Sequence, residues 1–170
     1  RPTGGTGSYS PTIQAEDFSV NSTLPGYITF IDMLLLNPCY GIVSSSQIIV
    51  NNFKSQPLLR GIKLDNVHDT CYIEEVHIWP FWDVYDTSGG YTTLWVYTMN
   101  NMYGIDLLDC DNPMLSNIFT IFANAGLHLG SSSAGSTSKI HLNNADFDRG
   151  YYGIILNGSN TTGQMNNVTI

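Results

Sequence analysis

The side chains best suited to chemistry in this sequence are carboxylates, histidines and tryptophans, and many of them gather in one stretch. Glu74 precedes it, Asp83 and Asp86 lie within it, and Asp106, Asp109 and Asp111 follow it. Glycoside hydrolysis needs two carboxyl groups, about 5 Å apart for retention and roughly 6.5 to 9.5 Å for inversion. Asp106 with Asp109, or Asp83 with Glu74, could meet across a groove, which makes Asp106, Asp109, Asp83 and Glu74 the candidate catalytic residues. The commoner fate of any single Asp is a solvated surface carboxylate. All three tryptophans, Trp79, Trp82 and Trp95, fall here with Phe81, Tyr85, Tyr91 and Tyr97. Aromatic faces beside acids and amides suit stacking against sugar rings, whose C–H faces are apolar while their rims hydrogen-bond. Trp79, Trp82, Tyr85, Tyr91, Trp95 and Tyr97 are therefore candidate substrate-binding residues. The alternatives are a cap or subunit interface, and after those local packing.

Lyase chemistry is the alternative, with a base and a bound Ca²⁺. Asp109-Cys110-Asp111-Asn112 would supply oxygen ligands, and His128 or His77 a base. Outside that alternative no cofactor and no metal site is expected. Signatures of the GxSxG, P-loop, HExxH and EF-hand kinds are absent. Cys39, Cys71 and Cys110 are too dispersed for a paired disulfide framework or a CxxC metal site, and read as buried apolar thiols. Sequons at Asn21, Asn157, Asn160 and Asn167 are what chance yields in a chain this rich in Asn and Thr.

What positions these residues is a repeat. A six-position pattern (apolar, any, polar, apolar, any, usually apolar) recurs at Phe30–Leu35, Val50–Ser55, Ile73–Ile78, Leu115–Thr120, Leu142–Phe147 and Met165–Ile170. Its polar column reads Asp32, Asn52, Glu75, Asn117, Asn144 and Asn167. A Gly-aliphatic pair follows at Gly41, Gly61, Gly104, Gly126 and Gly153. The step from polar column to Gly is nine residues in every case except Glu75 to Gly104, where about 20 more residues intervene. Short β-branched and aromatic segments bounded by Gly, Asn, Asp and Ser are strand chemistry, and no segment sustains a 3.6-residue apolar period, so strands without helices are expected. Strands returning every 20-odd residues predict an all-β fold, a right-handed parallel β-helix (a β-solenoid) of about six coils spaced by about 4.8 Å. Stacked Asn side chains would form a hydrogen-bonded ladder at a turn that asks for the left-handed conformation Asn tolerates. Glu75 is the odd member. The Gly column marks a corner that admits little side chain.

Residues 30–170 form the helix on this reading, with the aromatic insertion at 79–100, and residues 1–29 form an entry segment whose register is open. Ala15–Val20 resembles the six-position motif, with Gly26 nine residues after Asp17. Alternation after each Gly sets an outward column of Val43, Lys63, Asp106, His128 and Ile155. Lys63 and His128 would then flank Asp106 at about 5 Å, which adds both to the candidate binding residues. The chain opens at Arg1 without an initiator Met and closes at Ile170 in what reads as mid-strand, so a longer helix is expected around it.

Bulk properties narrow the partners. Hydrophobic residues at 42% and charged residues at 12% are outside the range of a disordered chain. Six Lys and Arg against fourteen Asp and Glu, with no basic cluster, leave no electrostatic footprint for nucleic acid. No apolar run approaches the roughly 18 residues of a membrane span, so no membrane insertion is expected.

The stretch from Gly61-Ile-Lys-Leu through Tyr72-Ile-Glu-Glu-Val-His-Ile to Trp79-Pro-Phe-Trp82 resembles the pectate-lyase-like β-helix of bacteriophage tailspikes, and the coil pattern carries the resemblance over residues 30–170. The resemblance implies a homotrimer on the virion, outside the cell, that binds and in many cases cleaves bacterial surface polysaccharide in a groove along the helix or between subunits. A non-catalytic adhesin or structural β-helix and a secreted polysaccharide lyase are the alternatives. The polygalacturonase signatures (Asn-Thr-Asp, an Asp-Asp pair, Gly-His-Gly, Arg-Ile-Lys) are absent, so nothing points to pectin in particular.

Overall fold

A computed structural model describes residues 18–22, 27–82 and 90–170, with side chains from 27–82 and 94–170. Its elements in chain order are β1 (Phe18–Ser22), β2 (Ile28–Leu36), β3 (Tyr40–Ser44), β4 (Ile48–Gln56), β5 (Arg60–Leu64), β6 (Cys71–Ile78), helix α1 (Gly90–Asn101), β7 (Tyr103–Leu107), β8 (Pro113–Ile121), β9 (Ala125–Leu129), β10 (Ile140–Asp148), β11 (Tyr152–Leu156) and β12 (Gly163–Thr169). The odd-numbered strands stack in order as one six-stranded parallel sheet, A, and the even-numbered strands as a second, B. Each coil contributes one strand to each sheet, so the chain is a parallel β-helix.

The long strands of sheet B bend at the polar column. Asp32, Asn52, Glu75, Asn117, Asn144 and Asn167 all have φ between 52° and 58°, a left-handed conformation in which Asn and Asp are enriched. Each bend divides its strand into two halves facing different directions, which gives the coil three sides. The stacked amides bond from coil to coil. Asn52 Nδ2 donates to Asp32 Oδ1 at 2.7 Å, Asn144 Nδ2 to Asn117 Oδ1 at 2.6 Å, and Asn167 Nδ2 to Asn144 Oδ1 at 2.9 Å. Glu75 stands between the two runs and joins neither. Its longer side chain carries no amide donor, and a left-handed residue other than Gly, Asn or Asp costs roughly 1–2 kcal/mol. Glu75→Asn is therefore expected to stabilise the chain by about 1 kcal/mol, read as a higher denaturant midpoint at unchanged slope. An unchanged or lower midpoint would refute the ladder argument at this coil.

Inside, equivalent positions stack in columns such as Ile42–Ile62–Ile105–Leu127 and Val50–Ile73–Leu115–Leu142, nearly all with no exposed surface. Each such side chain contributes about 1.5–3 kcal/mol by leaving water. The Gly column is where coils approach most closely. A Cβ on Gly41 would lie 2.4 Å from Gly61 O, one on Gly61 2.5 Å from Gly104 O, and one on Gly104 2.6 Å from Gly126 O. None of these glycines has a left-handed φ, so Gly is required for space and not for torsion. Cys71 and Cys110 are free buried thiols; burial pushes Cys71 up to about 12 and Cys110 also well above its ordinary value.

Two expectations need correction. The insertion contains a helix, α1, although its sequence GYTTLWVYTMNN shows no apolar face and is rich in weak helix formers. Tertiary contacts hold it. Asn124 Nδ2 donates to the carbonyls of Met99 and Asn100, both at 3.2 Å, and Arg60 Nη1 donates to that of Asn101 at 3.1 Å. These are carbonyls a helix C-terminus leaves without partners, and a cation there also meets the negative end of the helix dipole. The second correction concerns the N-terminal segment. Phe18–Ser22 pairs with β3 in sheet A, Phe18 beside Tyr40 and Val20 beside Ile42. The described part of the Ala15–Val20 segment therefore lies in sheet A and not in sheet B, Ser19 taking the place held by Gly in later coils; Ala15–Asp17 lie outside the described residues. Gly26 lies outside the described residues.

Candidate functional site

Three groupings on the outer faces hold the candidate residues. On sheet A, strand pairing places Val43, Lys63, Asp106, His128 and Ile155 side by side on successive coils. The column on the other side of the glycines reads Tyr40, Arg60, Tyr103, Ala125 and Tyr152. Where the columns meet, a polar chain spans four coils. Arg60 Nε donates to Asp106 Oδ2 at 2.7 Å, His128 Nδ1 donates to Asp106 Oδ1 at 2.7 Å, and His128 Nε2 lies 2.8 Å from Asn157 Oδ1. The Arg60 guanidinium rests 4.0 Å above the Tyr103 ring, and that ring lies 4.8 Å from His128. Asp106 is only 3% exposed and His128 8%. Burial alone would raise the Asp106 pKa, but the His128 hydrogen bond and the Arg60 charge outweigh it and hold the carboxyl below its ordinary value. The hydrogen bond to Asp106 lifts His128 above its ordinary value against burial. An acceptor at each ring nitrogen favours the doubly protonated imidazolium. The four side chains thus form a strap whose hydrogen-bonding groups face one another.

Asp109 takes no part in that strap. It is 8% exposed, its carbonyl accepts from Val67 N at 2.8 Å, and its carboxyl lies against Gly135, with Oδ2 lacking a hydrogen-bond partner. Asp111 is bound to Lys139 at 2.9 Å, and that hydrogen bond is the main reason its pKa lies below the usual range. Among the described residues no three or more His, Cys, Asp or Glu side chains are grouped to hold a metal ion.

The second grouping is aromatic. His77 on the outer face of β6 lies 5.9 Å from Trp79, 5.0 Å from Trp82 and 4.8 Å from Phe119 of β8, all in edge-on geometry. Trp79 meets Phe81 at 5.2 Å, Phe81 meets Phe122 at 5.7 Å, and Trp95 of α1 meets Phe122 at 5.2 Å. Trp79 and Trp82 therefore pack against the second half of sheet B, and Trp95 of α1 packs on Phe122 just beyond β8. Burial, followed by the Lys54 charge, lowers the His77 pKa. Tyr97 is half-buried on the same helix. Tyr91 is placed on α1 with its side chain outside the described set, and Asp83 and Tyr85 lie outside the described residues altogether.

The third grouping lies on the first half of sheet B. Tyr72, Met114, His141 and Gln164 form one column on adjacent coils, and Glu74, Ser116, Asn143 and Asn166 form the next. Between them opens a cavity of about 370 Å³, floored by Leu115 and Leu142. Asn166 Nδ2 donates to Asn143 Oδ1 at 3.0 Å. Glu74 and Tyr72 are exposed. Among the described residues no Lys or Arg lines the cavity, and Glu74 is its one carboxylate. Comparison with protein-family models, curated proteins and solved structures finds no match to this chain. Function is therefore argued from these faces themselves.

Of the candidate residues, the structure brings Asp106 and His128 into direct contact, with Lys63 beside Asp106 in the register. Of the candidate acids that are described, Glu74 lines the cavity and Asp106 and Asp109 do not. Arg60, Tyr103 and Asn157 of the strap, and Tyr72, His141, Asn143, Gln164 and Asn166 of the cavity, are additions. Part of their signal is in the repeat: Asn143 and Asn166 share the second motif position with Glu74, Tyr72 and His141 directly precede their motifs, and Arg60 and Tyr103 directly precede their glycines.

Proposed function

We propose that this chain recognises bacterial surface polysaccharide on the outer face of a parallel β-helix, as part of an extracellular, homotrimeric virion spike of the tailspike kind. The observation that carries the reading is the open cavity on sheet B. It offers an aromatic platform at Tyr72, hydroxyl and amide groups at Ser116, Asn143, Gln164 and Asn166, and an apolar floor. Sugar rings ask for that combination, and volumes of about 300–1,000 Å³ are usual for small-ligand sites. Glu74, Ser116, Asn143 and Asn166 follow one another along it at the coil spacing of about 4.8 Å, a distance comparable with one pyranose unit, so a chain lying along the stack meets a polar side chain at each coil. The tailspike and trimer parts of the reading rest on the resemblance of the Gly61–Trp82 stretch. Recognition is placed ahead of hydrolysis because the cavity lining holds a single carboxylate where hydrolysis uses two.

The test is titration of the chain against a panel of capsular and lipopolysaccharide-derived oligosaccharides. Tyr72→Ala is expected to weaken binding about tenfold, in line with the loss of one stacked ring. Trp82→Ala, in the packed aromatic cluster, should leave affinity within about twofold. A Tyr72→Ala variant that binds as the parent does would remove the cavity from the reading. Release of reducing ends that stops in Glu74→Gln would move the reading from adhesin to depolymerase.

A further inference from the structure

Resting on the polysaccharide reading, we infer that the sheet B cavity selects neutral glycans carrying an acetamido group, and rejects uronate and other acidic sugars. The amides of Asn143 and Asn166 sit on neighbouring coils and are joined by one hydrogen bond, Asn166 Nδ2 to Asn143 Oδ1 at 3.0 Å. That bond uses one donor and one acceptor. It leaves the Asn143 Nδ2 group to donate and the Asn166 Oδ1 atom to accept, on neighbouring coils. A secondary amide presents the reciprocal pair, a carbonyl that accepts and an N–H that donates. An acetamido group can therefore meet both coils with its own carbonyl and N–H; a hydroxyl at the same ring position also donates and accepts, but from one atom and without a methyl. Its methyl needs an apolar seat, and Met114, Leu115 and Leu142 line the same cavity.

Charge supplies the rejection. Among the described residues the lining contains Glu74 and no Lys or Arg. The corner beside it carries Glu75, and Lys139, at the turn leading into β10, is held by Asp111 at 2.9 Å. A ligand carboxylate would thus lose water and gain a like charge with no guanidinium or ammonium to pair it, an arrangement that discriminates by repulsion.

The probes are the β-linked tetramer of N-acetylglucosamine, the glucose tetramer of the same linkage and tetragalacturonate, titrated calorimetrically alongside the polysaccharide panel. The acetamido tetramer is expected to bind at least tenfold tighter than either of the others. Asn143→Ala with Asn166→Ala should bring its affinity down to that of the glucose tetramer, and Glu74→Gln should narrow the gap to tetragalacturonate. Equal or tighter binding of glucose or galacturonate oligomers, or capture only of polysaccharides without acetamido sugars, would overturn the inference and leave the polysaccharide reading standing. No binding across probes and panel would sink both.

Discussion

Asp106→Ala is expected to cost about 3 kcal/mol of folding stability, because removing one member of a buried ion pair leaves its partners charged and unpaired. Asp106 anchors Arg60 and His128 at 2.7 Å each. The exposure of Arg60, 22% for its side chain, keeps the figure at the lower end of the usual range, since water can solvate the released guanidinium. Asp106→Asn, which retains an acceptor and the shape, should cost about half as much. Arg60 also donates to the end of α1, so faster amide exchange in α1 should accompany the alanine variant. A loss below about 1 kcal/mol in Asp106→Ala would mean that the strap adds little beyond surface ion pairs.

The same strap sets a pH signature. The Asp106 pKa is lowered in the folded chain, so its contribution is present above its unfolded value of about 4 and is lost as pH falls through the lower folded value. The His128 pKa is raised, so its contribution is full below its unfolded value of about 6.5 and is lost as pH rises through the folded value. Together they peak between about pH 4 and 6.5. His77 acts in the opposite sense, because its folded pKa is lowered and stability drops as pH falls below about 6.5. The informative quantity is therefore the stability of the parent minus that of His128→Gln as a function of pH. It should shrink above about pH 6.5; a difference flat across that range would contradict an imidazolium bound to Asp106.

Gly104→Ala is the second large effect, expected at or above about 3 kcal/mol, the upper end of what overpacking costs. The added Cβ would lie 2.6 Å from Gly126 O and 2.6 Å from Thr120 Cγ2. The first obstacle is backbone of the next coil, which can retreat only by lengthening the hydrogen bonds between β7 and β9. Relief at one coil is passed to the next, because Gly126 is itself confined, with 2.3 Å between its own added Cβ and Phe147 Cδ1. Urea unfolding of the single variant measures the cost. A midpoint shift worth less than about 1 kcal/mol would show that the coils separate more easily than their spacing implies.

The coil register was legible from residues 30 to 170 because it is local and repeated. A polar residue bending the strand and, except after Glu75, a Gly nine positions later followed by an aliphatic residue recur whatever lies outside the stack. The outward order Val43, Lys63, Asp106, His128, Ile155 followed from that alternation and is the order of the strand pairing. The helix Gly90–Asn101 was not legible. Its residues favour it weakly, and it is held by Asn124 and Arg60, which the chain brings near only after the coils have closed. Nor was the packing of Trp79, Trp82 and Trp95, since stacking on a sugar and stacking on Phe119 or Phe122 demand the same residue types.

What the sequence by itself determined, then, is the stack: which side chains face the core, which bend the strand and which face out, because each of those choices depends on one residue and its copies a coil away. The tertiary structure alone decided what the outward residues do. It joined Asp106 and His128 to each other in a buried strap, folded the tryptophans onto the sheet, and left Glu74 beside Tyr72 and Asn143 at an open cavity. The reason is physical: contacts above an outer face depend on how far neighbouring loops fold back over it, a long-range distance that no periodicity in the chain encodes.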